Sequence, residues 1–347
     1  MAQNPTLEDV ARAAGVSRAT ASRAIRGAGK VSSAAQALVD RAVKDLGYVP
    51  NSAARSLVTR ETGAVALVVA EPDERIFSDP FFGAAIAGVV EALVPTDKQL
   101  ILAMRTRNGG DERLTRYLGN QQVDGVVVIS HHDNDQFLAV LRERAVPTVL
   151  VGRPACPESD DFGMPYVDLD NRLGGKLAAE HLIAQGCTRL ATITGPLDMP
   201  AAQDRLHGWR EGLEAAGIEE FAMCEGDFTP RTGRLGAQEL LATGERIDGV
   251  FAASDMMALT ALQEFEEHGL RVPDDIRVVG FDDSAMAEDS HPPLTTITNP
   301  ARAMTTEATR LLLSLIRGEE VEGPVVLTPR VLARESSGGG STLKDPP

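Results

Sequence analysis

From Thr62 onward the chain alternates apolar runs with helical stretches, and nothing else in the sequence restricts its fold as much. Ala64–Val69 is an unbroken apolar run, as expected of a strand covered on both faces. Runs of the same kind stand at 100–103, 125–129, 148–151, 190–193, 249–252 and 277–280. Between them the spacing of apolar residues predicts helices over 82–94, 111–120, 134–144, 171–185, 202–216, 231–242, 256–268 and 301–317. Strands alternating with helices call for a parallel sheet with right-handed crossovers, so the body is α/β. The repetition implies two similar lobes, one before and one after about residue 168.

The first 60 residues are different. They hold nine Lys/Arg against four acids, a balance of +5, so the remainder of this −16 chain carries −21. A basic head on an acidic body is drawn to a polyanion by one end only, although a basic stretch can also be an ordinary solvated face. Thr6 can cap a helix whose first turn holds Glu8 and Asp9, at the positive end of the helix dipole. Gly15 breaks that helix. Ser17 can cap a second one, from Arg18 to about Arg26, and Gly27 and Gly29 follow it. Ser33 to Gln36 has a capping-box pattern, and a third helix is expected to reach Leu46 before Gly47. Two short helices across a glycine turn, then a third, make a helix-turn-helix unit or a plain three-helix packing module. In the first case Arg18 and Ala19 open the helix that enters the major groove. Arginine can pair with guanine there, and alanine can touch a thymine methyl. Thr20, Ser22 and Arg23 are spaced to reach phosphates or further bases. Residues 48–57 form a short segment with little apolar surface, too short to be helical alone. Leu57 there is either an apolar wedge for a base step or part of a plain linker.

The segments TLEDVARAAGVSRATASRAIRG, KVS and LGYVPNSAARSL closely resemble the head and hinge of the LacI/GalR family of bacterial transcription repressors. The resemblance covers about 55 residues densely and extends across the body, which is similar to a periplasmic-binding-protein-like effector domain. It implies base reading by Arg18, Ala19 and Arg23, and backbone contacts from Thr6, Leu7, Ser17, Thr20 and Ser22. It also implies a hinge helix formed on DNA, with Leu57 as the minor-groove wedge and Asn51 and Ala54 beside it. Arg26 stands where the family usually has Asn, and Ala21 where it usually has Val. Arg26 therefore changes a possible DNA contact, and with it the operator. The implied division is a head at 1–49, a hinge at 50–61, a body at 62–335 and a disordered tail at 336–347. The lobes would comprise about 62–168 with 298–323, and 169–297 with 324–335. The chain would cross between them near 168–170, 294–299 and 323–326.

Ligands of open α/β sheets sit beyond the carboxyl ends of the strands. Residues just after strands are therefore the cleft candidates: Asp79 to Phe82, Ser130, Arg205, Phe228, Ser254, Asp255 and Asp282. The resemblance gives Phe82, beside Phe81, a stacking role, Arg205 a ligand hydroxyl or carboxylate, Phe228 a sugar or base face, and Asp282 a ligand hydrogen bond. Ser254 replaces the usual Asn of an Ala-Asn-Asp triplet. Arg205 and Asp282 could instead pair with each other, and Phe228 could be core.

Several outlines of chemistry fail. Leu173-Gly174-Gly175-Lys176-Leu177 lacks the first Gly and the final Ser/Thr of a phosphate loop and reads as a helix start. His131-His132-Asp133 has no further ligand at metal spacing and reads as a solvated loop. No nucleophile elbow is present. Three scattered cysteines do not make a disulfide scaffold. No apolar run nears the roughly 20 residues of a membrane helix, and MAQNPTLEDV lacks a signal pattern. The expectation is a cytoplasmic, nucleoid-associated repressor, not an enzyme, with neither cofactor nor metal. Its partners are operator DNA, a second copy of itself and a small-molecule effector, with no membrane. A sugar is the first choice of effector and a nucleobase-like corepressor the alternative. The rivals are a transporter's solute-binding protein, opposed by residues 1–60, and an α/β enzyme, opposed by the missing motifs.

Overall fold

The computed structural model describes residues 5–26, 31–48, 61–71, 73–105, 111–120, 122–133, 136–155 and 163–339. The chain divides after Gly63 into two units. In the first, α1 (Leu7–Ala14), α2 (Arg18–Arg26) and α3 (Ser33–Leu46) pack around Val10, Ala21 and Val39, all fully buried. Burying one such valine stabilises by roughly 1.5–3 kcal/mol, so local caps matter in a core this small. Thr6 and Asp9 form a complete capping box on α1, and Gly15 ends it in the left-handed conformation. Ser17 caps α2 by accepting from the Thr20 amide at 3.1 Å. The cap of α3 is Ser32, one residue earlier than the sequence pattern suggests. Gln36, expected to complete a capping box, instead bonds the Ala24 carbonyl and Asp40. It is drawn away because α2 offers an acceptor within reach.

The body begins with β1 (Ala64–Val69), α4 (Asp73–Ser78), α5 (Pro80–Leu93), β2 (Gln99–Met104) and α6 (Asp111–Gly119). β3 (Gly125–Ile129), α7 (Gln136–Glu143), β4 (Thr148–Val151) and β5 (Tyr166–Leu169) complete this stretch. The second lobe runs α8 (Asn171–Ala184), β6 (Leu190–Thr194), α9 (Pro200–Ala215), β7 (Ala222–Glu225) and α10 (Pro230–Ala242). It continues with β8 (Gly249–Ala252), α11 (Asp255–Glu267), β9 (Arg277–Asp282), α12 (Ala285–Asp289) and β10 (Thr295–Thr298). The chain then returns to the first lobe as α13 (Ala301–Ile316) and β11 (Val325–Leu327), and ends in the second as β12 (Val331–Leu332) and a 3-10 turn at Glu335–Ser337. The sheets have orders β11-β5-β4-β3-β1-β2 and β12-β10-β9-β8-β6-β7. Every pairing is parallel except β12 on β10.

Three sequence expectations for the body are corrected. β11 pairs with β5, so the last crossing falls at 328–330 and not at 323–326. Val325–Leu327 is too short and too mixed in character to announce a strand from sequence. The tail does not loosen at 336: Ser336 and Ser337 are fully buried. Ser336 Oγ accepts from the Thr295 amide and donates to the Val278 carbonyl, and Ser337 Oγ bonds Thr295 Oγ1 and His181. These two hydroxyls close the end of the second sheet where strand partners run out. The His131-His132-Asp133 segment is not a solvated loop either, because His131 is buried and His132 lies between carboxylates of both lobes.

Gly174 and Gly175 serve helix packing and not phosphate binding. A Cβ on Gly175 would collide with the Arg205 carbonyl on α9. That close approach of α8 and α9 carries Arg205 to the cleft.

Candidate functional site

On the head, Arg18, Ala19 and Arg23 are exposed along α2. Arg18 Nε lies 2.9 Å from Glu8, but both side chains face solvent, so the pair holds Arg18 only weakly. Ser17 and Thr20 are tied by a 2.8 Å hydroxyl contact. Leu7 is half-buried against the head's core, and Thr6 is engaged in its cap. Arg26 closes α2. Asn51, Ala54 and Leu57 lie outside the described residues.

In the body, the strand ends converge on an interlobe cleft. Arg205, buried on α9, donates from Nε to Asn171 Oδ1 at 2.9 Å and from Nη1 to the Ala253 carbonyl at 2.6 Å. Its guanidinium sits 3.6 Å from the Phe281 ring centre and 5.6 Å from that of Phe228. Asp282 is 3.9 Å from Arg205, so the pairing left open by the sequence exists, at long range. Asn299 Nδ2 donates to Asp282 Oδ1 at 2.8 Å. Burial pushes the Asp282 carboxyl upward, although Arg205 opposes the shift. Burial also lifts Asp168 to about 6, against the pull of the Leu169 and Arg153 amides. Asp168 in turn accepts from Asn171 Nδ2, which links it to Arg205. Ser130, Phe228, Asp282 and Asp283 all have positive φ. Strained non-glycine backbone of this kind gathers where a site needs its side chains aimed.

The other candidates separate. Phe81 faces the cleft. Phe82 does not: it is fully buried, edge-on to Phe81 at 5.3 Å, which corrects the stacking role expected of it. Its place in the first turn of α5 points it inward. Ser254 borders the cleft and caps α11 at the Met257 amide. Asp255 is withdrawn from the Arg205 pocket, accepting from Thr296 Oγ1 at 2.6 Å and the Ser284 amide at 2.7 Å. Ser130 Oγ donates to Glu71 at 2.7 Å.

Sequence reasoning missed Arg75, Glu71, Arg153, Asp168, Asn171 and Asn299. Asn171 and Asn299 follow strands and Asp168 lies near the end of one, so the strand-end rule could have found them had β5 and β10 been recognised. Arg75 had no such signal. It comes from the short α4, with Nη1 2.6 Å from Glu71 and its guanidinium 4.8 Å from the Phe228 ring of the other lobe. Two further links span the lobes. Arg153 pairs bidentately with Asp204 at 2.6 and 2.8 Å. His132 lies 3.3 Å from Glu71 and 3.0 Å from Asp198. Burial lowers the pKa of His132, but the two carboxylates outweigh it and hold the group above its ordinary value. Glu71 is held low by His132, Arg75 and Ser130 despite its own burial. Among the described residues no cluster fits a metal, and no helix is long and apolar enough to cross a membrane.

A helix-turn-helix unit followed by a two-lobed body with its polar groups at an interlobe cleft defines a ligand-responsive DNA-binding regulator. Residues 6–51 match the bacterial regulatory proteins of the lacI family, and residues 179–337 match the periplasmic binding protein-like domain. The chain is 47% identical over 339 residues to the HTH-type transcriptional regulator CelR of Thermobifida fusca, covering 96% of this chain and 98% of that protein. It is 33% identical over 321 residues to the repressor CytR of Escherichia coli K12, covering 91% of each. A solved CelR–cellobiose complex matches with a TM-score of 0.74 at 44% identity, over 96% of this chain and 99% of that one. A Lac repressor dimer bound to operator and the anti-inducer ONPF matches with a TM-score of 0.85 at 29% identity, again over 96% and 99%. The chain belongs to the lacI family of bacterial transcriptional regulators, and these relatives are regulators and not enzymes.

Proposed function

We propose that this protein represses transcription as a homodimer on a pseudo-palindromic operator, and that a neutral saccharide in the cleft sets its affinity for DNA. Cellobiose is the first ligand to test, because the CelR relative is solved with it. One observation in this chain carries the sugar reading. Arg205, Asp282 and Asn299 form a polar row that borders the same pocket as Phe81 and Phe228. A pyranose needs that pair of surfaces, hydrogen-bonding groups for its hydroxyls and an aromatic ring for its apolar face. The head is residues 1–49, the hinge is 50–61 with Leu57 as wedge, and the body follows. Arg18, Ala19 and Arg23 read bases. The protein works in the cytoplasm, on the nucleoid.

The test has two stages. Selection from random duplex DNA should return a pseudo-palindrome of roughly 16–20 bp, one helical turn between half-site centres with flanks. Cellobiose should then change affinity for that duplex by about 5–150-fold, the range of ordinary allosteric coupling. Release identifies an inducer and tightening a corepressor. No change at millimolar cellobiose, glucose or other neutral sugars would overturn the sugar reading.

A further inference from the structure

The cleft has two chambers. Asp79, Phe81, Asp282 and Asn299 border both. On the Arg205 and Phe228 side the free volume is about 80 Å³. One water needs about 10–15 Å³ by the same measure, so this chamber takes on the order of six waters, or one sugar ring. On the side of the interlobe crossovers, toward Ser284, Ala285 and Thr328, lies a chamber of about 520 Å³. Ala84, Ala285 and Ala301 line it with small side chains. At the passage between the two, Asn299 is nine-tenths buried and its Oδ1 has no hydrogen-bond partner. Its amide nitrogen is already committed to Asp282. A buried acceptor left open is costly, and a ligand hydroxyl in the passage would remove that cost. The outer rim, at Asp283, Ala285, Thr328 and Arg330, is exposed.

We propose that this larger chamber is a second saccharide subsite. The effector is a linear oligosaccharide with its first ring beside Arg205 and Phe228. Its glycosidic link passes Asn299, and its second ring occupies the larger chamber. The exposed rim lets the chain continue outward, so the protein senses a class of oligosaccharides and not one disaccharide. The inference rests on the sugar reading above.

Calorimetric titration of the full-length protein with glucose, cellobiose and cellotriose tests it. Cellobiose should bind at least 10-fold more tightly than glucose, and cellotriose within about 3-fold of cellobiose. Ala285→Trp and Thr328→Trp, both exposed positions that fill the larger chamber, should each remove the advantage of cellobiose and leave glucose binding unchanged. Retained operator binding shows that each variant folds. Equal affinity for glucose and cellobiose, or equal weakening of glucose and cellobiose in both variants, would overturn the second subsite while the sugar reading stands, and exclusion of cellotriose would overturn the outward continuation past the rim. No binding of any of the three sugars would overturn both.

Discussion

The reading helix and the effector cleft are built in opposite ways. Arg18, Ala19 and Arg23 stand within six residues of one helix, exposed, and the fold of the head does not depend on them. The cleft draws Arg75, Asp168, Arg205, Phe228, Asp282 and Asn299 from separate segments, and its charged groups are held by one another. The difference teaches that recognition and stability are separable in the head and joined in the cleft. A surface contact can be removed without cost to folding, whereas a buried polar group leaves orphaned partners behind.

Arg205→Ala should show the largest effect. It strands Asn171 Oδ1, the Ala253 carbonyl and Asp282, so urea unfolding of the body should lose about 3–5 kcal/mol along with the effector response. Wild-type stability with lost response would break the comparison. Arg18→Ala should cost roughly 1–3 kcal/mol on the selected operator and relax one position of each half-site. The head's melting temperature should barely move, because the Glu8 pair is a solvent-exposed one. An equal loss on all DNA sequences would make Arg18 a phosphate contact. Thr6→Ala removes the cap of α1 and should destabilise the head by about 1 kcal/mol while the body's transition stays put. A shift in the body's transition would show that the two units do not unfold independently.

The smallest expected effect is a pH slope in the body. The folded pKa of His132 lies above the ordinary 6.5, so its link to Glu71 and Asp198 contributes fully below pH 6.5 and fades as pH rises through the raised value. Asp282, pushed up by burial, adds destabilisation over part of the same interval, so the wild-type slope alone is not diagnostic. The difference between wild type and His132→Gln isolates the histidine. That difference should shrink as pH rises from 6 to 8. A constant difference would mean that the ring acts there by packing and not by charge.

Much of this was legible in the sequence, for reasons that particular residues make plain. Ala64–Val69 was legible as a buried strand because a short apolar run rich in valine, set between Gly63 and Pro72, suits a strand covered on both faces better than a helix. Thr6, Gly15 and Gly47 marked helix ends because caps are settled within a few residues. Phe82 went astray because a helix start offers two adjacent aromatics, and only the packing beneath α5 decides which one turns inward. Ser336 and Ser337 looked like the start of a loose tail because their partners, Thr295 and Val278, lie about 40 to 60 residues away.

The sequence by itself determined the helix-turn-helix, the α/β alternation and the family, since each is written in contiguous residues and short-range periodicity. Only the tertiary structure decided which carboxylate meets which arginine, that Arg75 and Arg153 reach the opposite lobe, and that the cleft has a second chamber beyond Asn299. The physical reason is range. Caps and periodicity act over one helical turn, but a buried charge must find its partner wherever the crossovers bring one, and spacing along the chain does not record that distance.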